Sequence, residues 1–133
     1  MIRAVFPGTF DPIHYGHIDI ALRASKLFDE LVIAVYARPL KTLLFSQEER
    51  LELVEKTFEN YSNISVKAYE NLTVEFCKSN GAKVIVRGLR VFSDFEQEFR
   101  IALANHRLAP GIESIALITN EDHTFFSSST VRE

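Results

Sequence analysis

His14 and His17 stand three residues apart with Gly16 between them, directly after the turn-forming stretch Pro7-Gly-Thr-Phe-Asp-Pro12. A short apolar run, Ile2 to Phe6, precedes that stretch, and an amphipathic segment follows from about His17. The order therefore reads as strand, glycine-bearing turn and helix start. The first turn of a helix has backbone N–H groups without partners at the positive end of its dipole, which suits an anion. Two imidazoles bring side-chain donors to the same place. A phosphate-handling site is the expectation. One alternative is a histidine pair that only caps the helix; another is a metal site, for which no third ligand stands at a suitable spacing.

The other cations that could serve a phosphate are few. Arg87-Gly88-Leu89-Arg90 sends two guanidinium groups out of a buried strand around a glycine, a natural setting for bidentate phosphate recognition. Lys41 shares a loop with Arg38 and by itself reads as a solvated charge. In Asp94-Phe-Glu-Gln-Glu98, Glu96 is explained as a capping residue, which leaves Glu98 needing another role. Ser127-Ser-Ser-Thr130 offers hydroxyls and amides at a helix start, either as a polar cap or as a phosphate site. Phe125 and Phe126 ahead of it fit a core position and a base pocket, one of each.

These residues must be positioned by the elements between them. Ile2–Phe6 predicts a strand, and His17 to Phe28 a helix with Ile18, Ala21, Leu22, Ser25 and Phe28 at helical spacing. Glu30–Tyr36 is nearly continuous and β-branched, as in a strand buried on both faces. Ser46 and Glu49 form a capping box for a helix to about Phe58, and Ile64–Tyr69 alternates as a strand. Thr73 is expected to cap a short helix through Cys77 that stops at Asn80-Gly81. Lys83–Arg87 is a strand closed by Gly88; Ser93 and Glu96 cap a helix from Asp94 to about Leu108; Glu113–Ile118 is the fifth strand. Strand and helix alternate throughout, which predicts an α/β protein, a doubly wound, open parallel sheet with helices on both faces. Ligands of such sheets bind at the carboxyl ends of the strands, near a topological switch point. The segments following the strands hold nearly every candidate above.

The bulk numbers exclude several classes. A chain of 133 residues with 47% hydrophobic and 25% charged residues is one ordinary globular domain. A net charge of −3 argues against general nucleic-acid binding, so phosphate recognition must come from a few placed cations. Cys77 is the only cysteine, which excludes an internal disulfide or cysteine metal cluster and fits a reducing cytoplasm. The apolar runs are too short to cross a bilayer, and Met1-Ile-Arg leads into a strand without a signal-peptide pattern.

Taken together in order and spacing, Pro7–Pro12 with His14-Tyr-Gly-His17, then Arg87–Arg90, Asp94–Glu96 with Glu98, and Ser127–Ser129 resemble the phosphopantetheine adenylyltransferases. H-x-G-H alone marks the wider nucleotidylyltransferase superfamily; the Arg-Gly-Leu-Arg and Asp-Phe-Glu blocks narrow it. The resemblance implies a Rossmann-like nucleotidylyltransferase fold. It also implies transfer of AMP from ATP to 4′-phosphopantetheine, giving dephospho-coenzyme A and pyrophosphate without a covalent intermediate. Catalysis would fall to His17 and Lys41. Thr9, Lys41, Thr73 and Arg87 would hold phosphopantetheine. Thr9, Phe10, His17, Gly88, Leu89, Arg90 and Glu98 would contact ATP, with His123, Thr124, Phe125, Phe126, Ser127, Ser128 and Ser129. No protein metal ligand is implied; Mg2+ would travel with the ATP, and coenzyme A is the expected feedback ligand of a cytoplasmic homohexamer.

Three positions depart from the family pattern: His14 where many members have threonine, Gln97 where tyrosine is common, and His123 where an aromatic is common. The family also usually continues for about one more helix and a tail, whereas a helix begun at Ser127 would here have only ~2 turns. The domain, 1–133, is thus expected to lack that helix. Two alternatives stay open: a sister nucleotidylyltransferase of the nicotinamide mononucleotide or glycerol-phosphate type, and a shortened form that binds nucleotide with little activity.

Overall fold

The computed structural model describes residues 1–39, 42–90 and 92–119. Five strands, β1 (Arg3–Gly8), β2 (Glu30–Tyr36), β3 (Ile64–Tyr69), β4 (Val84–Leu89) and β5 (Glu113–Ile118), alternate with four helices. The helices are α1 (Tyr15–Leu27), α2 (Gln47–Phe58), α3 (Thr73–Ser79) and α4 (Phe92–Leu108). The strands form one parallel sheet in the order β3-β2-β1-β4-β5. This is the doubly wound α/β arrangement that the alternation predicts.

Strand alternation divides the core in two. Ala4, Phe6, Leu31, Ile33, Val35, Val84 and Val86 face α1 and α2, packing with Ile20, Ala21, Ala24, Val54 and Phe58. Val5, Val32, Ala34 and Ile85 face the other way, against Val74, Phe76 and Cys77 of α3 and Ala109 and Ile112 after α4. Burial pushes the Cys77 thiol up to about 11, which leaves it an inert core group at neutral pH.

The sheet opens where the chain reverses its direction of travel. β1 pairs with β2 from Arg3 through Gly8, but with β4 only at Ala4↔Val84 and Val5↔Ile85. Beyond Val5 the two central strands part, and the crevice lies between them at their carboxyl ends.

Several boundaries differ from the sequence expectation. β1 runs on through Pro7 and Gly8 rather than ending at Phe6, because the missing Pro7 N–H falls where β1 has left β4. α1 starts at Tyr15 rather than His17, with His14 as its N-cap. Its buried positions are Gly16, Ile20, Ala21 and Ala24, while Ile18 and Leu22 are only partly buried. Thr73 is not a cap: it lies inside α3, whose N-cap Leu72 makes no side-chain cap bond. Gly88 does not close β4, which continues to Leu89. Ser93 stands inside α4, which begins at Phe92, rather than ahead of it. Glu96 pairs instead with Arg100 one turn on, at 2.7 Å. By contrast β2, β3, β5 and the Ser46/Glu49 capping box of α2 lie where the sequence puts them.

Candidate active site

The turn after β1 is held in a conformation that a chain does not adopt unaided. Phe10 has φ 52, the left-handed region that a residue with a Cβ avoids. Its ring folds back over Gly8, where an added Cβ would come within 3.0 Å of the ring, so only glycine fits there. The ring then packs edge-on against Phe6 at 5.5 Å and against His17 at 4.8 Å between centroids. Phe10 thus backs the His17 imidazole from inside the core.

The two histidines cap α1 reciprocally. His14 Nδ1 accepts from the Gly16 N–H at 3.1 Å, and His17 Nδ1 accepts from the His14 N–H at 3.2 Å. The rings stack 3.8 Å apart. An Nδ1 that accepts leaves the proton of a neutral imidazole on Nε2, so this bonding sets both tautomers. The capping alternative is therefore what the Nδ1 atoms do. It also fixes His17 as an Nε2–H donor, which is what an anion contact requires.

Asp11 and Arg50 secure the same turn from below. Asp11 is buried; its carboxylate accepts from the backbone N–H groups of Leu44 at 2.7 Å and Phe45 at 2.9 Å. Arg50 is fully buried and donates to the carbonyls of Thr9 at 2.8 Å, Tyr36 at 2.7 Å and Ala37 at 3.3 Å. Sequence reading missed both. The available signal was spacing: Arg50 shares the buried stripe of α2 with Val54 and Phe58, four residues apart each time.

Across the crevice, Arg87 is clasped by Glu98 of α4. Its Nε and Nη2 donate to the carboxylate at 2.9 and 2.7 Å, and Nη1 reaches the Pro7 carbonyl at 3.4 Å. The pair is partly exposed, 33% for Arg87 and 16% for Glu98. The clasp gives Glu98 a partner within the protein, beside the ATP contact that the resemblance implies. Gly88 follows in the strand, where a Cβ would lie 3.2 Å from Ile20 Cγ1 of α1. On the β2–β3 side, the Tyr69 hydroxyl bonds the Thr73 hydroxyl at 3.0 Å. Burial pushes the Tyr69 phenol up, against the opposing pull of that bond and of Arg87, so it is neutral at physiological pH.

Thr9, Phe10, His17, Thr73, Arg87, Gly88, Arg90 and Glu98 all line one crevice of about 680 Å³, together with His14 and Gln97. Tyr36, Tyr69, Asn71, Leu72 and Thr119 also line it and were not singled out in sequence. Leu89 is not on the lining; its carbonyl accepts from the Thr119 N–H at 2.8 Å. Lys41, His123, Thr124, Phe125, Phe126, Ser127, Ser128 and Ser129 lie outside the described residues. Among the described residues no helix is long and apolar enough to cross a membrane.

The cytidylyltransferase-like family model matches residues 5–133. The phosphopantetheine adenylyltransferase of Carboxydothermus hydrogenoformans is 49% identical over 130 residues, 98% of this chain and 80% of the relative. That of Roseiflexus sp. is 50% identical over 133 residues, covering 100% and 83%. That of Aquifex aeolicus is 48% identical, covering 98% and 81%. Among solved structures, a bifunctional NMN adenylyltransferase/ADP ribose pyrophosphatase from Francisella tularensis superposes with a TM-score of 0.73. It is 16% identical and covers 98% of this chain and 41% of that one. A lipopolysaccharide core biosynthesis protein from Thermoplasma volcanium gives a TM-score of 0.64 at 24% identity, covering 90% and 97%. These structural likenesses are evidence of fold alone. With relatives this similar over nearly its whole length, the chain belongs to the phosphopantetheine adenylyltransferase family of cytidylyltransferase-like proteins.

Proposed function

We propose that the crevice between β1 and β4 transfers the adenylyl group of ATP to 4′-phosphopantetheine, giving dephospho-coenzyme A and pyrophosphate. The observation that carries this reading is His17, fixed by its capping bond as an Nε2–H donor in the same crevice as Thr9 and Arg87. Family membership supplies the substrate pair.

The chemistry asks little of the protein beyond placement. The attacking group is a phosphate monoester with a second pKa of about 6, largely ionised at neutral pH, so no general base is needed. One of its oxygens bonds to the α-phosphorus of ATP, the bond from that phosphorus to the bridging oxygen breaks, and pyrophosphate leaves with the electron pair. What remains is to hold two anions in line and stabilise charge on the α-phosphate. In this reading His17 donates to the α-phosphate, while Thr9 and Arg87 take the acceptor phosphate. Thr73 lines the pantetheine arm, and Phe10, Gly88, Arg90 and Glu98 serve ATP. Lys41 and residues 123–129 belong to the same reading. Mg2+ would be carried by the triphosphate and water and would offset its charge; among the described residues no cluster of three His, Cys, Asp or Glu offers a protein cage.

Mass analysis of the products from ATP and 4′-phosphopantetheine tests the assignment. Dephospho-coenzyme A and pyrophosphate in equal amounts are expected; tight ATP binding with no product would leave a nucleotide-binding domain without transferase activity.

A further inference from the structure

Arg50 heads the largest fully buried side chains among the described residues, and it is charged. Burying a guanidinium is costly, and a hydrophobe of similar volume would fill the same space at less cost. Desolvation lowers its pKa, with the nearby Asp11 charge acting in the other direction. Its Nε has no hydrogen-bond partner among the described residues, so the side chain is not placed for its own satisfaction. It is placed for what the two terminal nitrogens reach.

Those nitrogens clasp two neighbouring strand ends. Nη1 takes both the Thr9 carbonyl, just past β1, and the Tyr36 carbonyl, the last of β2; Nη2 takes the Ala37 carbonyl. Thr9 immediately precedes Phe10, whose left-handed backbone persists only where its surroundings fix it. The Phe10 ring in turn backs His17. Asp11 anchors the far side of the same turn through the Leu44 and Phe45 amides.

We infer that Arg50 is a positioning residue for the transfer reaction: its grip on the Thr9 carbonyl sets the Thr9 hydroxyl and, through Phe10, the His17 ring. The inference rests on the reading that Thr9 and His17 receive the two substrates' phosphates. Arg50→Lys tests it, because a compact ammonium keeps the charge but cannot reproduce the planar fork. With folding verified by circular dichroism, kcat per folded molecule is expected to fall about 10-fold or more, in the manner of a small misplacement of reacting groups. The Kd of 4′-phosphopantetheine in calorimetry should rise as well, and that rise should shrink when Thr9 is already replaced by Val.

A folded Arg50→Lys protein with unchanged kcat and unchanged Kd values would overturn the inference. So would an equal loss in the Thr9→Val background, since Arg50 would then not act through Thr9. If Arg50→Lys does not fold, Arg50→Gln, which keeps a planar donor head on a shorter neutral stem, replaces it and is read by the same criteria. A wild-type protein that binds both substrates but releases no pyrophosphate defeats the transferase reading, while the binding comparison still decides the Arg50 inference. A wild type that binds neither substrate overturns both.

Discussion

The two walls of the crevice are built on different principles. On the β1–β2 side, Asp11 and Arg50 are buried and bonded to backbone, and the histidines spend their Nδ1 atoms on the cap of α1. On the β4–α4 side, Arg87 is held by another side chain, Glu98, in a partly exposed ion pair. Backbone-anchored groups have little freedom to move when a ligand arrives. A guanidinium paired with a carboxylate can exchange part of that partner for a phosphate at modest cost, since partly exposed pairs are weak. In the proposed reaction the first wall would supply geometry for the reacting phosphorus, and the second exchangeable charge for holding an anion.

The largest expected effect tests the geometric wall. His17→Ala should lower kcat by about 10²-fold or more, as for loss of an oxyanion donor, with a modest change in the Kd of ATP. Unchanged turnover in a pyrophosphate assay would remove His17 from the chemistry. Next comes the charge wall. Arg87→Ala should weaken 4′-phosphopantetheine by about 10- to 100-fold, the value of a charged hydrogen bond, and ATP far less. Equal losses for both in calorimetry would mean that the two substrates are placed incorrectly, with Arg87 serving both.

Glu98→Gln sharpens the contrast at smaller amplitude. It keeps the shape of the pair but leaves Arg87 with more net charge, so phosphopantetheine should bind a few-fold tighter at low salt, with a steeper salt dependence. A few-fold weaker binding would show that Glu98 orients Arg87 more than it competes for it. The smallest effect falls on the scaffold. Ser46 caps α2, the helix that carries Arg50, through the Glu49 N–H at 3.1 Å. Ser46→Ala should cost about 1 kcal/mol in urea unfolding and leave both Kd values unchanged. A shift in either Kd would mean the backbone-anchored wall is softer than its bonding suggests.

Sequence reading was reliable where local signals agreed. β2 and β5 are apolar runs bounded by turn residues, β3 alternates, and α2 announces itself by a capping box. It failed where local rules met tertiary ones. Pro7 and Gly8 look like breakers, yet β1 passes through both because one edge has already parted from β4. Ser93 looks like a cap, yet α4 begins ahead of it. The site divides the same way. His14, His17, Arg87 and Gly88 carry recognisable spacing, and the fold brings them to one crevice. Asp11 and Arg50 were not legible, because a buried charge is defined by what surrounds it, and the Arg87–Glu98 clasp joins residues on two different elements that only the fold brings together. Arg50 sits among Glu48, Glu49 and Glu52, where it passes for one more solvated helix residue.

The most direct test is steady-state pyrophosphate release at saturating ATP, with 4′-phosphopantetheine and nicotinamide mononucleotide offered in parallel as acceptors. The crevice described here predicts release with 4′-phosphopantetheine and background release with nicotinamide mononucleotide. Equal release with both acceptors, or release with nicotinamide mononucleotide alone, would contradict it.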